Sequence, residues 1–263
     1  MTNIISVINQ KGGVGKTTTV INLAASLSIM GQNNLVIDLD PQGNATTGFG
    51  KSNNNEGNNV YNLLIKKINL KEAIQKTNID NLEIIGSHVN LSGLEVETAS
   101  DAKRAFVLKE ILSGEKHNAL KKYNNIFIDC PPSLSLLTIM SLVASDELLV
   151  PLQTEFFALE GITQLVKTID RIKENLNPAL SIRGILLTMF DKRNKLSAEV
   201  DREARNYFKE KVYQTVIQRN VRLSEAPSHG MPCVLYDKNC VGSKSYFKLA
   251  EEFSKKNNIE SAA

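Results

Sequence analysis

Residues 4–27 read IISVINQKGGVGKTTTVINLAASL, a β-branched apolar run, then three glycines within four residues, then an uninterrupted stretch of helical period. A chain with this order must leave a buried strand through a glycine turn and enter a helix directly. In that helix Val20, Leu23, Ala24 and Leu27 share one stripe. Glycines at 12, 13 and 15 let backbone N–H groups converge without a Cβ in the way, and the helix N-terminus adds partial positive charge. Such a turn is suited to phosphate. The strict pattern of Gly, four residues, then Gly-Lys-Ser/Thr is met at Gly15, Lys16 and Thr17, but Gln10 stands in the first glycine's place and a second lysine, Lys11, lies inside the loop. The reading is a nucleotide phosphate-binding loop over Gly12, Gly13, Val14, Gly15, Lys16, Thr17 and Thr18, with Lys11 inside it. Lys16 would bridge the β and γ phosphates and the Thr17 hydroxyl would ligate Mg²⁺.

Carboxylates end two further strand-like runs. NLVIDLD closes on Asp38 and Asp40, and NNIFIDC closes on Asp129. An aspartate at the end of a buried strand beside a phosphate loop holds Mg²⁺, usually through water, and Asp129 fits that position best.

Apolar runs (LEIIG, ELLVPL, IRGILLTMF and YQTVI among them) recur along the chain with helical patterns between them, including one with Val200, Ala204, Tyr207 and Phe208 on one face. This alternation predicts an α/β fold, a doubly wound and mostly parallel sheet with helices on both faces and the ligand beyond the C-terminal strand ends. Residues 90–112 carry a long helical pattern, and the asparagine-rich residues 51–60 read as a surface loop. Residues 1–263 read as a single domain with no N-terminal helix-turn-helix unit. The three cysteines (Cys130, Cys233, Cys240) suggest no disulfide framework, no start resembles a secretion signal, and no apolar run is long enough for a membrane span, so a cytoplasmic protein is expected. The net charge of +3 is unevenly spread: residues 188–263 hold 14 of the 31 Lys and Arg and 10 of the 28 Asp and Glu, a net of +4. A basic C-terminal third is compatible with a polyanion partner.

KGGVGKTT with its early lysine, DLDPQGNAT, DCPPS, LQTEFFALEG and NVRLSEAPSHG occur in that order, and the set resembles the ParA/Soj group of chromosome- and plasmid-partition ATPases of the deviant Walker-A class. The resemblance runs from about Ile4 to Gly242. It implies an ATP-dependent homodimer in which Lys11 reaches the nucleotide of the partner subunit. It also implies Asp40 as the switch aspartate that positions the attacking water, with Asp38 close to the metal. ATP-dependent, sequence-independent DNA binding is implied, with Arg193, Arg219 and Arg222 as phosphate contacts and Lys192 and Lys195 nearby. So are a nucleoid-associated location and a ParB/Spo0J-type centromere-binding partner that stimulates hydrolysis. Adenine contacts fall at Met189 and Arg219, although Gln218 stands where the family generally has proline.

Two other classes share this nucleotide core. A MinD-like cell-division ATPase binds membrane through a C-terminal amphipathic helix, and SYFKLAEEFSKKNN places Tyr246, Leu249, Ala250 and Phe253 on one face. Glu251 and Glu252 oppose anionic lipid, so the expectation is a helix closing the fold, with no membrane partner. An iron–sulfur relative needs interface cysteines, and Cys233 and Cys240 lack the Cys-x-x-Cys spacing. His88, His117 and His229 give no metal signature.

Overall fold

The computed structural model describes residues 2–113 and 119–260, so His117 lies outside the described residues. Seven strands form one sheet: β1 (Asn3–Val7), β2 (Asn34–Asp38), β3 (Gln75–Lys76), β4 (Leu82–Ile85), β5 (Asn125–Asp129), β6 (Glu147–Gln153) and β7 (Ser181–Thr188). Their spatial order is β3-β4-β2-β5-β1-β6-β7, parallel throughout except for the antiparallel two-residue β3. The doubly wound α/β fold is the one the sequence predicts.

Alternation along the strands explains why these runs are apolar throughout. Val36 and Phe127 enter one core with Ile5, Val7 and Leu149, while Leu35, Ile37, Ile126 and Ile128 enter another on the opposite face. The first core is closed by α1 (Lys16–Ile29), α2 (Asn44–Gly48) and residues of the C-terminal segment. The second is covered by α3 (Val60–Leu64), α4 (Leu70–Ala73), α5 (Leu94–Glu97), α6 (Val107–Ser113) and α7 (Leu136–Ala144). A third cluster lies around β6 and β7 under α8 (Ala158–Asn175) and α9 (Lys195–Phe208). The C-terminal segment consists of α10 (Val221–Glu225), α11 (Cys233–Tyr236) and α12 (Val241–Glu260).

Helix α12 packs on α1. Tyr246, Leu249, Ala250 and Phe253 are all in the core, and the Phe253 ring lies 5.8 Å from that of Phe127. The apolar face of this helix is spent on the fold. Among the described residues no helix is long and apolar enough to cross a membrane.

Three expectations need correction. Residues 90–112 are not one helix. They form a 3-10 turn at Val89–Ser92, α5, a second 3-10 turn at Arg104–Phe106, and α6. Short polar side chains capture the backbone between them: Asp101 accepts the Lys103 N–H at 2.8 Å, and the Thr98 hydroxyl donates to the Leu94 carbonyl at 2.7 Å. YQTVI is no strand either. That segment meets β7 only at its two ends, where the Tyr213 and Ile217 N–H groups donate to the Ile185 and Leu187 carbonyls, and the chain bends between them so that no continuous ladder forms. On α9, Val200 and Ala204 are buried and Phe208 packs partly against the core, but Tyr207 is 68% exposed.

Candidate functional site

The glycine turn leaves β1 and enters α1 at Lys16. Gly13 (φ 75°) and Gly15 (φ 90°) hold the left-handed backbone that the turn demands. Side chains from distant segments brace it. Asn9 accepts the Lys11 N–H at 3.0 Å and donates to the Pro151 carbonyl at 2.8 Å, while the Thr188 hydroxyl donates to the Val14 carbonyl at 2.8 Å. Neither Asn9 nor Thr188 stands out in the sequence, since each acts across more than 140 residues.

The two lysines of the loop are separated by burial. Lys16 is 6% exposed, and its Nζ donates to the Lys11 carbonyl at 3.1 Å. Burial pulls its ammonium below the ordinary lysine range, opposed by the negative charge of Asp129. The Lys11 side chain is 52% exposed and pairs with Glu155, at the end of β6. Glu155 is a third residue that the sequence pattern did not single out.

Asp38 and Asp129 end the neighbouring strands β2 and β5, in register with each other, and both are fully buried. Asp38 is well held: Oδ2 accepts the Thr46 N–H at 2.8 Å and the Thr46 hydroxyl at 2.7 Å, and Oδ1 accepts the Asp40 N–H at 3.2 Å. Desolvation nevertheless pushes its carboxyl up to about 6. Thr46 in turn accepts the Ser87 N–H at 2.8 Å, and the Ser87 hydroxyl donates to the Asp40 carbonyl at 2.5 Å. The end of β4 is therefore tied to the loop that carries Asp40.

Asp129 differs from Asp38. Both of its oxygens are buried and meet no donor in full hydrogen-bond geometry among the described residues, and the Thr17 hydroxyl is the donor set nearest them. Burial, then the charge of Asp38, hold its carboxyl well above the usual range. Two orphaned oxygens beside Asp38 and Asp40 fit a divalent cation reached through water. Among the described residues no group of three His, Cys, Asp or Glu forms a metal cage, so such an ion would draw its other ligands from phosphate, water and Thr17.

Gly12, Gly13, Gly15, Lys16, Thr17, Thr18 and Asp40 line a cavity of about 320 Å³, with Gln42, Asn44, Pro132 and Met189. A second cavity of about 160 Å³ shares Gly15, Thr18 and Met189 with it and is lined further by Gln218, Arg219, Leu223 and Tyr246. The two share three lining residues and make one cleft, one end at the glycine turn and the other where the base contacts were expected. Met189 and Arg219, expected at the base, line that second end, and Met189 holds a left-handed φ of 52° that is rare for a side-chain residue. The bridge to Phe190 runs through the Ile217 carbonyl and the Arg219 N–H, one on each side of Gln218.

Of the arginines expected on DNA, Arg193 and Arg219 both act on Asp191, and Arg193 and Arg222 are engaged by carboxylates. Arg193 is 91% exposed and forms a two-pronged pair with Asp191, whose carboxyl it draws down to about 2. Arg222 is half exposed between Glu225 at 2.7 Å and Asp237 at 3.7 Å.

A parallel sheet whose first strand feeds a glycine turn and a helix, with acidic residues ending the next two strands on one side of it, defines a P-loop ATPase. The AAA domain family matches residues 2–182. The chain is 47% identical over 249 residues to the chromosome partitioning protein ParA of Caulobacter vibrioides, covering 95% of this chain and 92% of that one. It is 48% identical over 245 residues to the chromosome-partitioning ATPase Soj of Treponema pallidum, covering 93% and 94%. The septum site-determining protein MinD of Pyrococcus horikoshii, solved with Mg-ADP, superposes with a TM-score of 0.79 at 27% identity, covering 98% of each chain. The chain belongs to the ParA/Soj family of chromosome-partitioning ATPases.

Proposed function

We propose that this ATPase partitions DNA as a switch whose ATP form is a dimer bound to DNA without sequence preference, and whose hydrolysis, stimulated by a ParB-type partner, releases it. The carrying observation is the division of labour within one loop. Lys16 is buried at the phosphate cavity, while Lys11 stands half exposed at its rim, where a cation can serve a nucleotide held by a second subunit. ATP trapped between two copies leaves concentrated negative charge at the interface, and a lysine from each side offsets it only when both copies are present.

Within one subunit, the loop amides and Lys16 would cradle the phosphates. Thr17, with Asp129 and Asp38 acting through water, would hold Mg²⁺, which neutralises charge on the β and γ phosphates. Asp40 would orient the attacking water in line with the γ-phosphate. Met189 and Arg219 would contact the adenine. Positioning of this kind gives slow hydrolysis alone and leaves room for acceleration by a partner.

On the DNA side, Arg193, Arg219 and Arg222 are the proposed phosphate contacts. Each contact displaces counterions, so affinity must fall steeply with salt. The MinD-like alternative loses its physical support because the apolar face of α12 is buried on α1.

The test is binding to random-sequence duplex DNA with ATP, ADP or no nucleotide across a salt series, beside a Lys11→Ala variant. Binding that requires both ATP and Lys11 and weakens steeply with salt is the expected result. ATP-independent binding, or binding unaffected by Lys11→Ala, would sink the proposal.

A further inference from the structure

Cys233 and Cys240, seven residues apart, bring their sulfurs to 3.5 Å across the α11–α12 corner. The two are unequal. Cys233 opens α11 and is fully buried, while Cys240 is partly exposed just before the first turn of α12. The Cys240 sulfur accepts the Ser243 N–H at 3.3 Å, so it sits where a helix N-terminus favours negative charge. The Ser243 hydroxyl lies 3.3 Å from one sulfur and 3.4 Å from the other, and it also donates to the carbonyls of Cys233 and Asp237. A disulfide needs the sulfurs about 1.5 Å closer than this. No other side chain stands between them.

We infer that Cys233 and Cys240 form a reversible dithiol–disulfide site whose oxidant is a hydroperoxide. The Cys240 thiolate attacks the peroxide, taking one oxygen and releasing hydroxide, or alcohol from an organic peroxide, so that Cys240 becomes a sulfenic acid. The Cys233 sulfur then attacks that sulfenic sulfur: the S–S bond forms, the S–O bond breaks, and the departing hydroxide leaves as water with the Cys233 proton. Two thiols give up two electrons and two protons, and the peroxide is reduced. The first step belongs to Cys240 because it alone of the pair meets solvent. Burial pushes the Cys233 thiol up to about 12, which suits a partner that reacts only with a sulfur already at contact distance.

The corner borders the base end of the cleft. Gly242 lies so close to Leu223 that an added Cβ would stand 2.7 Å from the Leu223 Cγ, and Leu223 lines the second cavity together with Tyr246. Closing the bridge draws in the first turn of α12, and Leu223 has no slack to absorb the movement. Oxidation therefore alters nucleotide affinity, a consequence that rests on the base-pocket reading above.

The test treats the reduced, full-length protein with hydrogen peroxide and counts thiols after unfolding. The count falls from three to one, dithiothreitol restores it, and peptide mapping joins Cys233 to Cys240 with Cys130 still a thiol. Cys233→Ser, checked for unchanged thermal unfolding, instead accumulates a sulfenic acid on Cys240 that dimedone traps. If Cys233→Ser does not fold, Cys240→Ser serves, and it retains both remaining thiols. Three surviving thiols, or linkage only between molecules, would overturn the site. Binding of a fluorescent ATP analogue shifts by about fivefold or more between the reduced and oxidised protein. An unmoved affinity with the bridge formed overturns the coupling and leaves the disulfide standing.

Discussion

At the phosphate end of the cleft, six lining residues fall within residues 12–18, and the carboxylates beside them end two neighbouring strands. At the base end the lining is gathered from Gly15, from Thr188 and Met189, from residues 217–224 and from Tyr246. The first is set mainly by the local backbone of the glycine turn, braced from a distance by Pro151 through Asn9 and by Thr188. The second exists only once an irregular segment is pinned to β7 and α12 is seated on α1. The recess at the glycine turn is thus lined mostly by one short stretch, and the second recess is gathered largely from the last third of the protein.

Substitutions can break or sharpen that contrast. Lys16→Ala should have the largest effect, lowering ATP turnover by about 100-fold or more in a phosphate-release assay, since it removes the buried cation at the phosphate cavity. Asp40→Ala should lower kcat by a similar factor of about 100 while nucleotide affinity stays within about threefold, because Asp40 would act on the attacking water. Equal losses in both would make Asp40 a binding group instead. Thr46→Val should cost about tenfold in kcat by freeing Asp38 and loosening the tie to Ser87, and Thr46→Ser should recover most of it. A Thr46→Ser protein as slow as Thr46→Val would refute the hydrogen-bond account.

At the base end the effects should be smaller. Gln218→Pro should leave ATP affinity within about threefold, since the bonds that pin this turn flank residue 218. A loss of tenfold or more would make the Gln218 side chain or its N–H part of base recognition. The smallest effect lies outside both ends. Arg193 holds the Asp191 carboxyl at about 2, so the pair contributes stability above the ordinary carboxylate range and loses it as pH falls toward about 2. Carbon-detected NMR titration should show the Asp191 midpoint rising toward its ordinary value in Arg193→Ala, with thermal stability at neutral pH falling only slightly, because the pair is exposed and screened.

Legibility in the sequence follows the same division. Strand, glycine turn and helix are local, so the fold and the place of the phosphate loop could be read from periodicity and a single motif. The acidic strand ends were visible because each closes an apolar run. Thr46, Ser87, Glu155 and Thr188 were not visible, because their bonds join positions from 8 to 174 residues apart. Residues 90–112 misled because apolar spacing outvoted Thr98 and Asp101, whose side chains compete for the backbone. Residues 213–217 misled because β-branched composition does not reveal that the chain bends at Gln214 and meets the edge strand β7 only at Tyr213 and Ile217. Cys233 and Cys240 match no spacing rule, and only the corner between two helices brings them together.

The orphaned oxygens of Asp129 bear on how long a molecule of this protein lasts. A chain without nucleotide buries that carboxyl with only Thr17 and Lys16 set against it, and every ligand that binds only the folded form adds to its stability, by about 2.7 kcal/mol at one hundred times the dissociation constant. The fraction unfolded at any moment, and with it exposure to proteolysis, therefore follows the supply of Mg-ATP. In a starved cell the population of this protein would thin as its fuel ran down.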